Sequence, residues 1–189
     1  MTAFPLFRPV AEHGVLVEFG DAPAPEVLAQ VRHLDRQVLR HGFAGFLQAV
    51  PAFVNLLITF DPLLTDHATA EGHLRRLMAL PDAATITPVR RVVQVCYDED
   101  LAPDLPAVAR ACGLGVDAVI AAHLAGDYAV ILYGFAPGYA YLSGVPAPLH
   151  LPRKDSALRG VAAGSVIIAG AQCLVTTLTM PTGWWIIGR

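Results

Sequence analysis

Charge is scarce in this chain: lysine, arginine, aspartate and glutamate together make up 15% of its 189 residues. The thirteen basic residues form no long run and the net charge is −3. The chain therefore lacks the basic stripe that tracks a phosphate backbone, and no nucleic-acid partner is expected. Cysteine is scarce too. Cys96, Cys112 and Cys173 stand far apart and in no paired-ligand spacing, which argues against a disulfide framework or a zinc ribbon and for buried reduced thiols. No stretch offers the long uncharged apolar run of a spanning helix, so no membrane partner is expected. The first residues, Met1-Thr2-Ala3-Phe4-Pro5-Leu6-Phe7-Arg8, lack the basic-then-apolar order of a secretion signal. A cytoplasmic location is the expectation. Internal repeats and low-complexity segments are absent as well.

What is abundant is apolar surface. Hydrophobic residues reach 54%, enough for one large domain or two small ones, each with its own core. So much apolar surface with so little charge points to a subunit that buries part of itself against a partner.

Patterning divides the chain in two. Residues 15–19 alternate as a short strand closed by Gly20-Asp21. Pro25 opens a helix with Val27, Val31, Leu34 and Val38 on one face, and Gly42 ends it. Residues 46–50 and 53–60 read as two strands split by Pro51, and Asp66 caps a helix with Leu74, Leu77 and Met78 facing inward. This βαββα order predicts a compact α+β domain over residues 1–84. The proline-bracketed stretch 80–88 is the expected boundary. Residues 85–189 read as mainly β, with a strand over 89–97 and helices over 105–112 and 116–124. Strands follow over 128–133, 165–169 and 174–179.

The stretch Tyr133-Gly134-Phe135-Ala136-Pro137-Gly138-Tyr139-Ala140-Tyr141-Leu142 is the most informative in the chain. Its glycines permit sharp bends, Pro137 stiffens one, and its rings offer flat apolar faces with phenol tips. Such a loop lines a pocket or plugs the end of a barrel, and loop chemistry leaves both open. Arg153, Lys154 and Arg159 bind a carboxylate or phosphate, or form a solvated loop. Gln172 in a turn can read an amide. The seven histidines show no i, i+4 pair, so no metal site is expected. His13, His33, His41, His67 and His73 read as surface or capping residues. His123, at a helix end before the aromatic strand, is either a charged cap or a catalytic group. Asp98-Glu99-Asp100 and Asp104 fit capping, with Asp104 as the cap, better than a paired-carboxylate site. The run Gly160 to Ser165 lacks the lysine of a phosphate loop, and Ser165 enters a strand, unlike a nucleophile elbow. Trp184 and Trp185 read as core or interface.

These motifs together resemble one family. The aromatic stretch is similar to the Gly-Phe-x-Pro-Gly-Phe-x-Tyr-Leu signature of the Kip inhibitor and allophanate hydrolase subunit 1 family, which includes the B subunits of bacterial 5-oxoprolinase. Pro152-Arg153, the run from Ala163 to Gln172, and Gly183-Trp184-Trp185-Ile186-Ile187-Gly188-Arg189 keep the family's order and spacing. The resemblance implies a sandwich-like N-terminal α+β domain and a C-terminal cyclophilin-like β-barrel. It implies A-type and C-type partner subunits and an ATP-dependent opening of 5-oxoproline to glutamate, with ATP shared with or bound by the partners. A lactam is a poor electrophile, so ATP would activate its oxygen before water attacks. Arg153, Gln172 and His123 are the expected catalytic residues; Tyr133, Phe135, Pro137, Gly138, Tyr139, Tyr141, Ser165 and Arg159 are expected to bind substrate. Two alternatives follow from the same family: an inhibitor of a sensor histidine kinase, and a urea or allophanate carboxyltransferase-type subunit using biotin. The chain departs from the pattern at Ser156-Ala157-Leu158, which puts Arg159 one place late, and at Gln172-Cys173-Leu174-Val175-Thr176-Thr177. It also stops at Arg189, before the closing barrel strands that the resemblance implies.

Overall fold

The computed structural model describes residues 3–81 and 89–189, which form two compact units, Met1–Val89 and Arg90–Arg189. The boundary expected at 84/85 lies outside the described residues.

The first unit runs β1 (Leu6–Val10), β2 (Gly14–Glu18), α1 (Pro25–His41), β3 (Phe46–Ala52), β4 (Asn55–Phe60) and α2 (His67–Met78). Its strands pair antiparallel in the order β1-β2-β4-β3. Alternation along β2 and β4 turns Val15, Val17, Leu56, Ile58 and Phe60 into the core. Val31, Leu34 and Val38 of α1, with Ala70, Leu74 and Leu77 of α2, pack into the same core. The Asp66 carboxylate caps α2 by accepting from Thr69 N at 2.7 Å. Sequence patterning gives no sign of β1 and puts the β3–β4 break at Pro51. Both β1 and β3 are edge strands, where Pro9 and Pro51 need not donate to a neighbour. The chain turns instead after Ala52, with Phe53 at φ +46°. Of the histidines read as surface or capping residues, His33, His67 and His73 are half-buried.

The second unit begins with α3 (Leu105–Cys112) and α4 (Val116–Leu124), the spans expected from the sequence. There follow β5 (Ala129–Tyr133), β6 (Ala140–Ser143), β7 (Leu158–Val161), β8 (Val166–Ala169), β9 (Gln172–Val175), β10 (Met180–Thr182) and β11 (Trp185–Gly188). A five-stranded antiparallel sheet has the order β11-β8-β9-β6-β5, and β7 pairs with β10 separately. The molecule is thus a mixed helix-and-sheet protein with several sheets. Among the described residues the outer strands β5 and β11 do not pair with each other. No single described helix is long and apolar enough to cross a membrane.

The central strand β8 is buried at all four positions, which explains its uninterrupted apolar run. Val166 and Ile168 face the core built with Leu105, Val108 and Val119 of the helices. Ile167 and Ala169 face a second cluster with Tyr139, Leu174, Trp184 and Ile186.

Three expectations fail here. The strand expected over 174–179 forms instead at Gln172–Val175, and residues 176–179 lie outside it. The strand over 89–97 does not form: Val89, Val92 and Val93 are 71%, 92% and 63% exposed. A strand needs a neighbour for its polar groups. Among the described residues of that stretch only Cys96 finds one, exchanging backbone bonds with Arg189 at 2.7 and 2.9 Å. Asp104 occupies the N-cap position of α3, but its side chain makes no capping bond. Its carboxylate is engaged elsewhere, by Lys154 and by the backbone of Ile186.

Candidate active site

Register in the five-stranded sheet assembles the site. Ile186 lies opposite Ile167, Ile167 opposite Leu174, and Leu174 opposite Tyr141. One cross-strand row thus puts residues distant in sequence on one face. Ile167 and Leu174, each 1% exposed, make the floor of a cavity of about 280 Å³. Phe135, Tyr139, Tyr141 and residues 181–184 line it as well. Arg153 completes the lining, and among the described residues that line the cavity it alone is charged.

The aromatic stretch is shaped by two successive turns. Ala136 N donates to Gly134 O at 2.9 Å across Phe135, which sits at φ +71°. This γ-turn holds a bulky side chain in the left-handed region, a strained arrangement that tends to mark functional loops. Next, Tyr139 N donates to Ala136 O at 3.0 Å, with Pro137 and Gly138 at the centre and Gly138 at φ +71°. Proline then glycine with positive φ is what a type II turn requires. Thr177 Oγ1 donates to Pro137 O at 3.0 Å and ties this turn to the chain beyond β9.

The rings run in series. Centroids of Phe135 and Tyr139 lie 5.4 Å apart, Tyr139 and Tyr141 5.7 Å, and Tyr141 and Trp184 5.9 Å, all tilted or edge-on. The Arg153 guanidinium carbon stands 5.6 Å from the Trp184 ring centroid, within cation–π range. Tyr139 and Trp184 are 4% and 6% exposed, whereas Phe135 is 77% exposed at the rim. The loop therefore both fills a core and lines a pocket.

Of the residues expected from the sequence, the structure brings Phe135, Tyr139, Tyr141 and Arg153 together. Pro137 and Gly138 shape the turn without lining the cavity. Tyr133, Arg159 and Gln172 do not line it: Tyr133 ends β5, Arg159 lies on β7, and Gln172 opens β9. Ser165 is buried, and its hydroxyl donates to Ala162 O at 2.8 Å. Thr176 Oγ1 donates to the same carbonyl and accepts from Ser165 N. This knot fixes the β7–β8 connection and spends the hydroxyl internally.

His123 also lies away from the cavity lining, 5% exposed, among Tyr97, Tyr128 and Cys173. Tyr97 Oη is 2.7 Å from its Nδ1, and Cys173 Sγ is 3.7 Å from its Nε2. Burial pushes the imidazole down to about 4 and the Cys173 thiol up to about 12. Both are neutral near pH 7, so this pair is no thiolate–imidazolium nucleophile, and His123 is no charged helix cap.

Sequence patterning reads Trp184 as core or interface and passes over Thr182, Ile167 and Leu174 as site residues. The usable signal is alternation: Trp184 and Ile186 face the ring cluster, whereas Trp185 and Ile187 face the helices.

The second unit is thus of mixed helix-and-sheet class: an antiparallel sheet with helices packed on one face and a ring-lined cavity on the other. The chain belongs to the family described as carboxyltransferase domain, subdomain C and D, which matches residues 5–189. It is 30% identical over 193 residues to the B subunit of 5-oxoprolinase from Bacillus subtilis (strain 168), covering 95% of this chain and 80% of that one. It is 34% identical over 184 residues to the B subunit of 5-oxoprolinase from Escherichia coli O157:H7, with 95% and 82% covered. Among solved structures it is similar to TTHA0988, with 34% identity and a TM-score of 0.79. That match covers 94% of this chain and spans 34% of the TTHA0988 chain. The Kluyveromyces lactis urea carboxylase shares the fold at 16% identity and a TM-score of 0.72, over 97% of this chain and 19% of that one.

Proposed function

We propose that this chain is one subunit of a multi-subunit hydrolase of the 5-oxoprolinase type, and that its ring-lined cavity holds the cyclic amide as it is opened to glutamate. One observation carries the reading: three rings of the loop strand, Trp184 and a single guanidinium converge on a cavity of about 280 Å³. That is the scale and chemistry of a small flat molecule bearing a carboxylate. The names of the curated relatives supply the substrate class.

In this reading Arg153 takes the carboxylate with its planar fork, a geometry lysine cannot copy. Tyr139, Tyr141 and Trp184 flank the flat amide and keep water from it, which strengthens every polar contact inside. Phe135 stands at the mouth. Gln172, His123, Ser165, Tyr133 and Arg159 receive no role in binding, because they do not line the cavity. The two sheets of the second unit are read as walls of a cyclophilin-like barrel.

The one glycine-rich run weighed as a phosphate loop does not suit an ATP site. Gly160 to Ser165 joins two strands, no helix follows it, and the Ser165 hydroxyl is spent on Ala162 O. In this reading ATP is shared with or bound by the A-type and C-type partner subunits in the cytoplasm, and no step on this chain is routed through it. A second reading, biotin-dependent carboxyl transfer to an amide, is favoured by the description of the family itself. Purified together with A-type and C-type subunits, the chain should release glutamate from 5-oxoproline with ATP, and should not do so alone. A folded trio without that release would sink the first reading, and biotin-dependent carboxylation of urea would favour the second.

A further inference from the structure

The segment that carries Arg153 is anchored on both sides of it. Before it, the Pro152 carbonyl accepts from Trp185 Nε1 at 2.7 Å. After it, Lys154 N donates to Gly183 O at 2.7 Å and Lys154 Nζ donates to Asp104 Oδ2 at 2.6 Å. The same carboxylate oxygen accepts from Ile186 N at 2.8 Å. One half-buried carboxylate thus joins the start of α3, the start of β11 and the segment beside the cavity. The ion pair is largely shielded, with side chains 16% and 20% exposed. In such a setting each charge depends on its partner.

Alternation gives the arrangement its direction. Trp185 packs with the helix-side core and Trp184 with the ring cluster. Segment 152–154 follows suit: Lys154 Nζ lies 5.8 Å from the Trp185 ring centroid, and Arg153 lies over Trp184. Neither Asp104 nor Lys154 lines the cavity. They are positioning residues.

We infer that the Asp104–Lys154 pair is a strut that holds Arg153 over the cavity and thereby sets the affinity for the carboxylate of its substrate. This inference rests on the reading of the site given above. Its test is a double-mutant cycle in the assembled complex, with KM and kcat measured for 5-oxoproline. Asp104→Asn keeps an acceptor for Ile186 N while removing the charge. It should raise KM about tenfold with kcat within about twofold. Arg153→Ala should raise KM by more, and Asp104→Asn added to Arg153→Ala should raise it no further, since no guanidinium is left to position. A double variant whose KM rises by the product of the two single effects would overturn the strut while leaving the site intact. An Arg153→Ala variant with unchanged KM would instead overturn the site reading and the strut with it. Should Asp104→Asn fail to fold, Lys154→Met in the same cycle asks the same question, with the same outcomes deciding it.

Discussion

Arg153 is exposed, stands over one face of Trp184, and is flanked by backbone anchors on either side. Its removal should spare the fold and cost binding. Arg153→Ala is expected to leave thermal unfolding unchanged and to weaken the substrate by about 1.5–3 kcal/mol, the scale of a bond to a charged group. That corresponds to roughly 10- to 100-fold in KM. Arg153→Lys should recover only part, because the ammonium lacks the fork. His123 makes the opposite kind of prediction, one about stability. Its ring titrates near 6.5 when unfolded and at about 4 when folded. The folded state therefore resists protonation, and stability present above pH 6.5 is lost as pH falls from about 6.5 towards 4. The loss is up to about 3 kcal/mol for a shift of this size. Urea unfolding at pH 7 and 4.5 should show the drop, and His123→Gln should flatten it. An equal drop in both proteins would contradict the account.

The turns decide what the elements can do. Gly144 takes φ +108°, and a Cβ added there would sit 2.2 Å from the Asp127 carbonyl oxygen. Gly144→Ala should therefore destabilise by about 2–4 kcal/mol, combining a left-handed backbone with overpacking, and an unchanged unfolding midpoint would refute this. At α2, Asp66→Ala should cost about 1 kcal/mol through the lost cap, read by the same unfolding measurement. Elements such as α1, α3 and α4 are legible in the sequence because helices announce themselves through spacing and end at glycines such as Gly42 and Gly113. Short strands announce themselves unevenly: β8 is read at 165–169, and β9 only with displaced bounds at 174–179. β6, β7, β10 and β11 have three or four residues each, too few for a period to emerge. The aromatic wall of the site is legible as composition, but its floor is not. Ile167 and Leu174 reach the cavity through strand register, which no local pattern reveals. The reverse error occurs at Asp104, where a residue suited to capping is claimed by a lysine fifty positions away.

For the whole molecule, two compact units raise different questions. The first is a four-stranded sheet with two helices and carries none of the cavity residues. The second holds all the residues that line the candidate site. Few charges and a high fraction of apolar residues accord with a subunit that works in company. The most direct test is a crystal structure of the chain with the A-type and C-type subunits proposed as its partners and 5-oxoproline bound. The account predicts electron density for the lactam between Tyr139, Tyr141 and Trp184, with its carboxylate on Arg153. Density for the ligand at a site lacking these side chains, with the ring-lined cavity unfilled, would contradict it.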